Sequence, residues 1–393
     1  MPSLIPEDLA EPGTHALVIG VSAYLHFEDG PDPTRWGEEL YMEQLTAAAR
    51  SASIFAAWLM NDYRRDEKPL KSLRVLLSPS DDEDIDPDIA ARLDGDHAAT
   101  RANVERALVE FRNACNTHED NVLIVYVAGH GVQLTKTGAI VLLSDYGDEG
   151  HAERFRGSID MAGVHAGMNH PDTAQTQFWF VDACRQRAAN ARHFESLDGA
   201  LKLDEPLGSA KASPMFLAAT TGEEAFARVN GVTLFNEALI WLLSGGVADG
   251  PQDPDDLDDP EDTGIDCWHV SVTALIKQLP KRVRALAAAE DTEQSVAIAG
   301  NIHEAVFHDY EETPQVDLNI EVHPDDAKPV CRGTLKFNGE QVVVEDFVDW
   351  PMHERVDAGL YLLTIRAEEP FRSLDRPMRL KPPEISKGIS LER

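Results

Sequence analysis

Asn121-Val-Leu-Ile-Val-Tyr-Val-Ala-Gly-His-Gly131 is the most buried-looking stretch of the chain, an apolar run that stops abruptly at Gly129-His130-Gly131. Apolar side chains on consecutive positions predict a strand covered on both faces, as in a parallel sheet flanked by helices. His130 then stands at the C-terminal end of that strand. A second run of the same kind, Gln177-Phe-Trp-Phe-Val181, leads into Asp182-Ala183-Cys184. In an open parallel α/β sheet, ligands bind outside the carboxyl ends of the strands. An imidazole and a thiol delivered there by different strands can therefore converge on one crevice.

The flanking sequence repeats the strand-helix pattern. Residues 15–21 (HALVIGV) read as a first strand, and residues 45–60 place Leu45, Ala48, Ala49, Ala52, Phe55 and Leu59 largely at helical spacing. A strand follows at 73–77, then an acidic loop at 81–96, and Thr100 caps a helix that runs to about Cys115. Residues 139–143 read as a further short strand, 161–168 as a small-residue helix, 215–219 as a sixth strand, and 234–243 and 270–289 as helices. From about Thr313 the pattern changes to alternation, at 316–322, 333–337, 341–344 and 359–365, separated by Pro, Gly and Asp turns. The expected architecture is an α/β domain over residues 1–308, with a mostly parallel six-stranded sheet flanked by helices. A small β-sandwich accessory domain is expected over residues 309–393.

Composition narrows the function. Lys and Arg number 35 against 69 Asp and Glu, a formal net charge of -34 that repels phosphate backbones and anionic lipid. Nucleic acid and membrane are thus not expected partners, whereas a basic peptide would be attracted. The plainer reading of the charge is a heavily solvated acidic surface, or adaptation to high salt. Cys115, Cys184, Cys267 and Cys331 are far apart and form no CxxC pair, so neither a zinc cage nor a disulfide framework is expected. The first residues, MPSLIPEDLAEPG, carry no basic and then apolar leader, and no apolar run is long enough to span a bilayer. The expected location is the cytoplasm.

A thiol attacks a peptide carbonyl well only when a base promotes its thiolate and donors stabilise the oxyanion. His130 can act as acid and base, and the backbone amides of Gly131 and Cys184 are candidate oxyanion donors, since a glycine lets substrate approach the main chain. Taken singly, a histidine at a strand end is usually a satisfied polar residue, and a lone cysteine a small buried hydrophobe. Cys115, Cys267 and Cys331 keep that plain reading. The pair at 130 and 184 departs from it because both members follow buried strand runs.

These residues resemble the caspase and metacaspase superfamily of cysteine peptidases. In that family a histidine followed by glycine ends one core strand, and a cysteine ends another about 50 residues later. Val125-Tyr-Val-Ala-Gly-His-Gly131 and Phe180-Val-Asp-Ala-Cys-Arg185 are similar to those two motifs, and 18–21 with the helix start at 45–49 is similar to the family's opening unit. The resemblance covers roughly residues 15–300. It implies a caspase-like fold and a cysteine endopeptidase with His130 and Cys184 as its dyad, acting on proteins; no cofactor is expected, and the calcium need of some metacaspase relatives leaves calcium dependence open. It also implies control by an activating protein partner or by self-cleavage in the segment Arg185 to Lys211, and a setting in bacterial defence or regulated cell death.

Two departures matter. Gln186 stands where caspases carry glycine after the arginine. Two positions before the cysteine, caspases place Gln and cleave after Asp, whereas metacaspase-like members place Asp and cleave after Arg or Lys; this chain has Asp182. A carboxylate at the base of the primary pocket pairs with a basic P1 side chain and repels an acidic one. Its rival role is to cap the turn after the strand. A second pocket acid is expected from the loop between Glu28 and Glu43. By the same resemblance, the backbone of Ala219, Thr220 and Thr221 should hydrogen-bond an extended substrate.

Other features lead nowhere chemical. His303 and His308 are spaced i, i+5 and cannot share the helix face that a zincin needs. The acidic run from Asp249 to Asp266 lacks calcium-loop spacing. The competing functional class is a catalytically idle scaffold that binds partners. It forecasts loss of the His or the Cys, and both are present.

Overall fold

Strand β1 (Thr14–Val21) is buried along all eight residues, because helices cover both faces of the sheet to which it belongs. The computed structural model describes residues 3–132, 140–170, 173–184, 198–203, 212–220, 225–228, 231–250, 267–382 and 384–393. After β1 come α1 (Ala48–Asn61), β2 (Leu70–Ser78), α2 (Arg101–Cys115), β3 (Val122–Gly129), and the short strands β4 (Gly131–Val132), β5 (Ile140–Leu142) and β6 (Ser158–Asp160). Then follow α3 (Met161–Met168), β7 (Thr176–Ala183), β8 (Ser213–Leu217), α4 (Leu234–Trp241), β9 (His269–Ser271), α5 (Val272–Ala289), β10 (Ala297–Asn301) and β11 (Val306–Asp309). The chain forms two compact units, residues 1–240 with 276–307, and residues 241–275 with 308–393.

The first unit holds a six-stranded sheet in the order β10-β8-β7-β3-β1-β2. Every neighbouring pair is parallel except β10, which runs antiparallel to β8. Strand β10 makes up the six, and the strand expected at 139–143 is therefore not part of this sheet. There β5 pairs antiparallel with β4 and β6 in a separate three-stranded sheet. Its partner in β4 lies just past His130, so the chain folds back on itself before it can reach the main sheet.

Side chains two apart share a face, and this alternation sorts the core. Leu17, Ile19, Val125, Val127, Trp179 and Val181 pack with Val104, Leu108 and Phe111 of α2. On the opposite face Phe55 of α1 lies 4.7 Å from the ring of Tyr126 and 5.7 Å from that of Phe180, and Phe180 stacks on Phe216 at 5.4 Å. Burying aromatic side chains of this size contributes roughly 2 to 3 kcal/mol each. Helix α1 comes close to β1 because small residues meet at the contact, Gly20 on the strand and Ala49 and Ala52 on the helix. A Cβ on Gly20 would lie 2.6 Å from Ala52 Cβ and 2.8 Å from Ala49 Cα.

Helix ends follow local chemistry only in part. Thr100 caps α2 as expected, accepting from the Asn103 N–H. Helix α1 starts three residues later than its apolar pattern, since the Leu45 N–H is bonded to the Ser22 carbonyl at 2.9 Å. Its first free amides are capped from a distance: Ser22 Oγ accepts from Ala48 and Ala49 at 3.1 and 3.0 Å, and Glu83 Oε1 from Arg50 at 2.8 Å. On the outer edge of the sheet, residues 3–8 lie along β2. The Leu4 N–H donates to the Leu73 carbonyl at 2.7 Å and the Leu73 N–H to Ser3 Oγ at 2.9 Å, with Asp8 on Lys71 and Glu7 on Arg74.

In the second unit, strands β12 (Gln315–His323), β13 (Cys331–Phe337), β14 (Gln341–Phe347), β15 (Met352–Asp357), β16 (Gly359–Ala367), β17 (Leu374–Leu380) and β18 (Glu384–Ser390) make two sheets, β15-β12-β18 and β14-β13-β16-β17. They share one core of Val316, Leu318, Ile320 and Val322 from one sheet with Leu335, Tyr361, Leu363 and Ile365 from the other. That is the expected β-sandwich. Residues 241–275, which group with it, carry no sign of that in the sequence. Among the described residues, no helix is long and apolar enough to cross a membrane.

Replacing Gly20 by valine drives two methyls into α1. Gly20→Val is expected to cost about 2 kcal/mol, seen as a lower urea midpoint with an unchanged m-value. A variant as stable as the parent would show that this contact does not limit packing.

Candidate active site

Because β3 and β7 are parallel neighbours, with Ala128 opposite Asp182 and Gly129 opposite Ala183, the next residues along, His130 and Cys184, leave the sheet side by side at its carboxyl edge. The two strand ends touch. A Cβ on Gly131 would lie 2.0 Å from the Cys184 carbonyl oxygen and 3.0 Å from Ala183 Cβ, so the approach requires glycine. Gly131 thus sits with its main chain against the thiol-bearing residue.

His130 is held at three points. Its N–H donates to the Tyr24 hydroxyl at 2.7 Å, and that hydroxyl donates onward to the Val21 carbonyl at 3.2 Å. Its Nε2 lies 2.7 Å from the Glu43 carbonyl. A carbonyl can only accept, so Nε2 carries the hydrogen and the lone pair falls on Nδ1 in the neutral ring. The ring lies against the stacked pair Tyr24 and Phe27, with centroids at 5.1 and 5.7 Å. Burial lowers the pKa of the imidazole, while the Glu43 carbonyl and the charge of Asp29 act to raise it. At neutral pH the ring is therefore available as a base.

Cys184 is partly exposed, whereas Cys115 and Cys331 are buried and their thiol pKa values are pushed up by that burial. The Ala225 N–H donates to Cys184 Sγ at 3.2 Å, and the thiol lies 3.6 Å from the Ala225 carbonyl. Buried Gln294 pins this segment. Its amide donates to the Ala218 carbonyl at 2.9 Å and accepts from the Phe226 N–H at 3.0 Å. In this conformation main chain occupies the space directly over the sulfur.

Asp182 shares the face of Phe178 and Phe180, and only 2 % of its surface is exposed. Its Oδ2 accepts from the Tyr126 hydroxyl at 2.7 Å and from the Thr233 hydroxyl. Asn236 completes the group, its amide donating to the Ser51 carbonyl at 3.0 Å and to Tyr126 at 3.2 Å. Two buried acceptors in this group, Asp182 Oδ1 and Asn236 Oδ1, have no donor among the described residues. Burial raises the Asp182 pKa to about 6, against the lowering effect of Thr233 and Tyr126. Among the described residues its partners are side chains of β3 and of the start of α4, while the turn after β7, which its alternative reading had it cap, lies outside those residues.

The acid that the Glu28–Glu43 loop brings toward the site, Asp29, is bonded to Gln44 and not to Asp182. Ala219 and Thr220 follow β8 at the same edge, the first fully buried and the second partly exposed. Thr221, Gln186, most of the segment from Arg185 to Lys211, and the acidic run beyond residue 250 lie outside the described residues. Tyr24, Gln44, Ser51, Tyr126, Thr233, Asn236 and Gln294 were not singled out from sequence. Each is an unremarkable residue type whose role comes from distant partners. Among the described residues no group of three or more His, Cys, Asp or Glu is arranged to hold a metal ion.

The family model described as the Caspase domain matches residues 14–250. No curated protein matches the chain. Among solved structures, the crystal structure of Caspase-1 from Spodoptera frugiperda aligns at 12% identity, covering 79% of this chain and 99% of that one with a TM-score of 0.44. With the family model spanning more than half of its length, including both β3 and β7, the chain belongs to the caspase-domain family of cysteine peptidases.

Proposed function

We propose that this protein is an endopeptidase that cleaves polypeptides after Arg or Lys, with Cys184 as nucleophile and His130 as base. The observation that carries the proposal is the β3–β7 register, which sets those two residues next to each other with Asp182 two residues upstream. His130 Nδ1 takes the thiol proton, Sγ attacks the P1 carbonyl carbon, and the C–N bond breaks as the imidazolium returns that proton to the leaving amine. Water then attacks the thioester, again with His130 as base, and releases the carboxylate and the free thiol. The amides of Gly131 and Cys184 face the developing oxyanion.

Asp182 supplies the P1 preference. A buried carboxylate oxygen without a donor is costly, and a guanidinium or ammonium entering from the substrate satisfies it. Main chain at Ala219, Thr220 and Thr221 pairs with the substrate strand. In support, β10 stops pairing at Leu217, which leaves the following residues beyond the end of their neighbour on that side. The Ala225 contact on Sγ supports regulation, since that main chain has to withdraw before a peptide can reach the sulfur. An activating protein partner, or cleavage between Arg185 and Lys211, would serve. Four free cysteines suit a reducing cytoplasm, and a setting in defence or regulated cell death is part of the proposal.

The test uses fluorogenic peptides ending in Arg, Lys, Asp or Leu, with the full chain beside Cys184→Ala. Turnover of the Arg and Lys peptides, abolished in Cys184→Ala, is the expected result. Asp-selective turnover overturns the role of Asp182, and no turnover even after limited proteolysis favours the idle scaffold. Asp182→Asn should lower kcat/KM for Arg peptides on the order of 10²-fold, by loss of a desolvated charge pair, while sparing the Leu peptide.

The pH dependence has a definite sign. Asp182 binds a cation only when ionised and its pKa is raised to about 6, so kcat/KM for Arg peptides should fall as pH drops through that value. Asp182→Asn should lack this limb. An identical acid limb in both proteins would assign it to another group.

A further inference from the structure

His130 depends on the connection between β1 and α1, whose regular structure is a single short helix at Arg35–Glu38. Its main-chain anchor, Tyr24, and its side-chain anchor, the Glu43 carbonyl, both lie between β1 and α1, and residues 41–47 form neither helix nor strand. Left alone, the two anchors could drift apart, and the imidazole would turn away from the sulfur.

One side chain ties them together. Gln44 Oε1 accepts from the Tyr24 N–H at 2.6 Å, and Gln44 Nε2 donates to the Tyr24 carbonyl at 2.9 Å. Exchanging the amide oxygen and nitrogen would set donor against donor and acceptor against acceptor, so the orientation is fixed. The Glu43 carbonyl belongs to the same peptide unit as the Gln44 N–H, and that N–H donates to Asp29 Oδ2 at 3.4 Å. Asp29 Oδ1 also accepts from Gln44 Nε2 at 3.3 Å. The peptide unit is thus held from behind by Asp29 while its oxygen faces His130. Gln44 spans both anchors: it clamps the backbone of Tyr24 and forms half of the peptide that receives the imidazole N–H.

We infer that Gln44 is the positioning residue for the catalytic base, holding His130 Nδ1 toward Cys184 by locking Tyr24 to the Glu43–Gln44 peptide. This deepens the proposed mechanism and rests on the pairing of His130 with Cys184. The charge that acts on the imidazole is that of Asp29 on this loop, while the Cys184 thiol at the end of β7 and Glu83 beyond β2 act on Tyr24, its main-chain anchor.

Gln44→Met keeps the length and most of the volume of the side chain while removing both bonds to Tyr24, and Gln44→Glu keeps only the acceptor. Two readouts on the full chain separate positioning from folding. The first is the rate of Cys184 alkylation by iodoacetamide against pH, followed by mass spectrometry of the Cys184 peptide; the second is kcat and KM with an Arg peptide. In the parent, alkylation should persist well below the range of an ordinary thiol, through pairing with His130. In Gln44→Met that low-pH limb should move up to the ordinary thiol range, with rates converging on the parent above pH ~9. Its kcat should drop about 10²-fold at little change in KM, and Gln44→Glu should fall between. A Gln44→Met profile that superimposes on the parent, or a loss uniform across pH, overturns the inference. A parent that alkylates only as an ordinary thiol overturns the His130–Cys184 pairing itself, and this inference with it.

Discussion

The hydrogen-bond register between β3 and β7 is the constraint on which the rest of the site depends. Parallel strands bond evenly, and a shift by one residue would turn every side chain to the opposite face. Here such a shift would carry the apolar side of β7 out of the α2 core and send Asp182 away from Tyr126. The register is therefore fixed by burial all along the strands, and the relation between residues 130 and 184 at their ends follows from it. Gly131 contributes at the last step, where lack of a side chain lets the two chain ends meet.

The chemistry at this edge uses hydrogen bonds of two kinds. Around His130 both N–H donors are matched, the main-chain one to a hydroxyl and the ring one to a carbonyl, with two aromatic rings packed beside the imidazole. Around Asp182 the match is incomplete, with one oxygen bonded and one left open in a buried setting. Matched donors hold a group rigidly, as the proposed base requires, while an unmatched anion leaves room for a cation, as the proposed P1 preference requires. The two arrangements stand a few residues apart on the same strands.

Much of this was legible in the sequence because burial leaves a mark on composition. Strands β1, β3, β7 and β8 are apolar without alternation, and β12, β13 and β16 alternate cleanly, being the central strands of the sandwich. Strands β15, β17 and β18 lie at sheet edges, where one side meets solvent and the apolar positions thin out, so no pattern announces them. Strand β10 (AIAGN) is likewise small and half exposed, taking its place from pairing with β8. At the site, the two residue types with distinctive reactivity could be read off the chain. The residues that hold them could not: Ser22 capping α1, Gln44 on Tyr24 and Gln294 across to Phe226 act through contacts that only the folded chain creates.

The outer edge of the main sheet has a consequence for how the molecule meets copies of itself. Strand β2 has a neighbour on one side only, and an uncovered row of amides and carbonyls is a template for other extended chains. Residues 3–8 blunt it by bonding to Leu73 on both its N–H and, through Leu4, its carbonyl, and by setting two carboxylates against Lys71 and Arg74. A short acidic strap thereby covers part of the back edge of the sheet, where two copies of the chain would otherwise be able to join strand to strand.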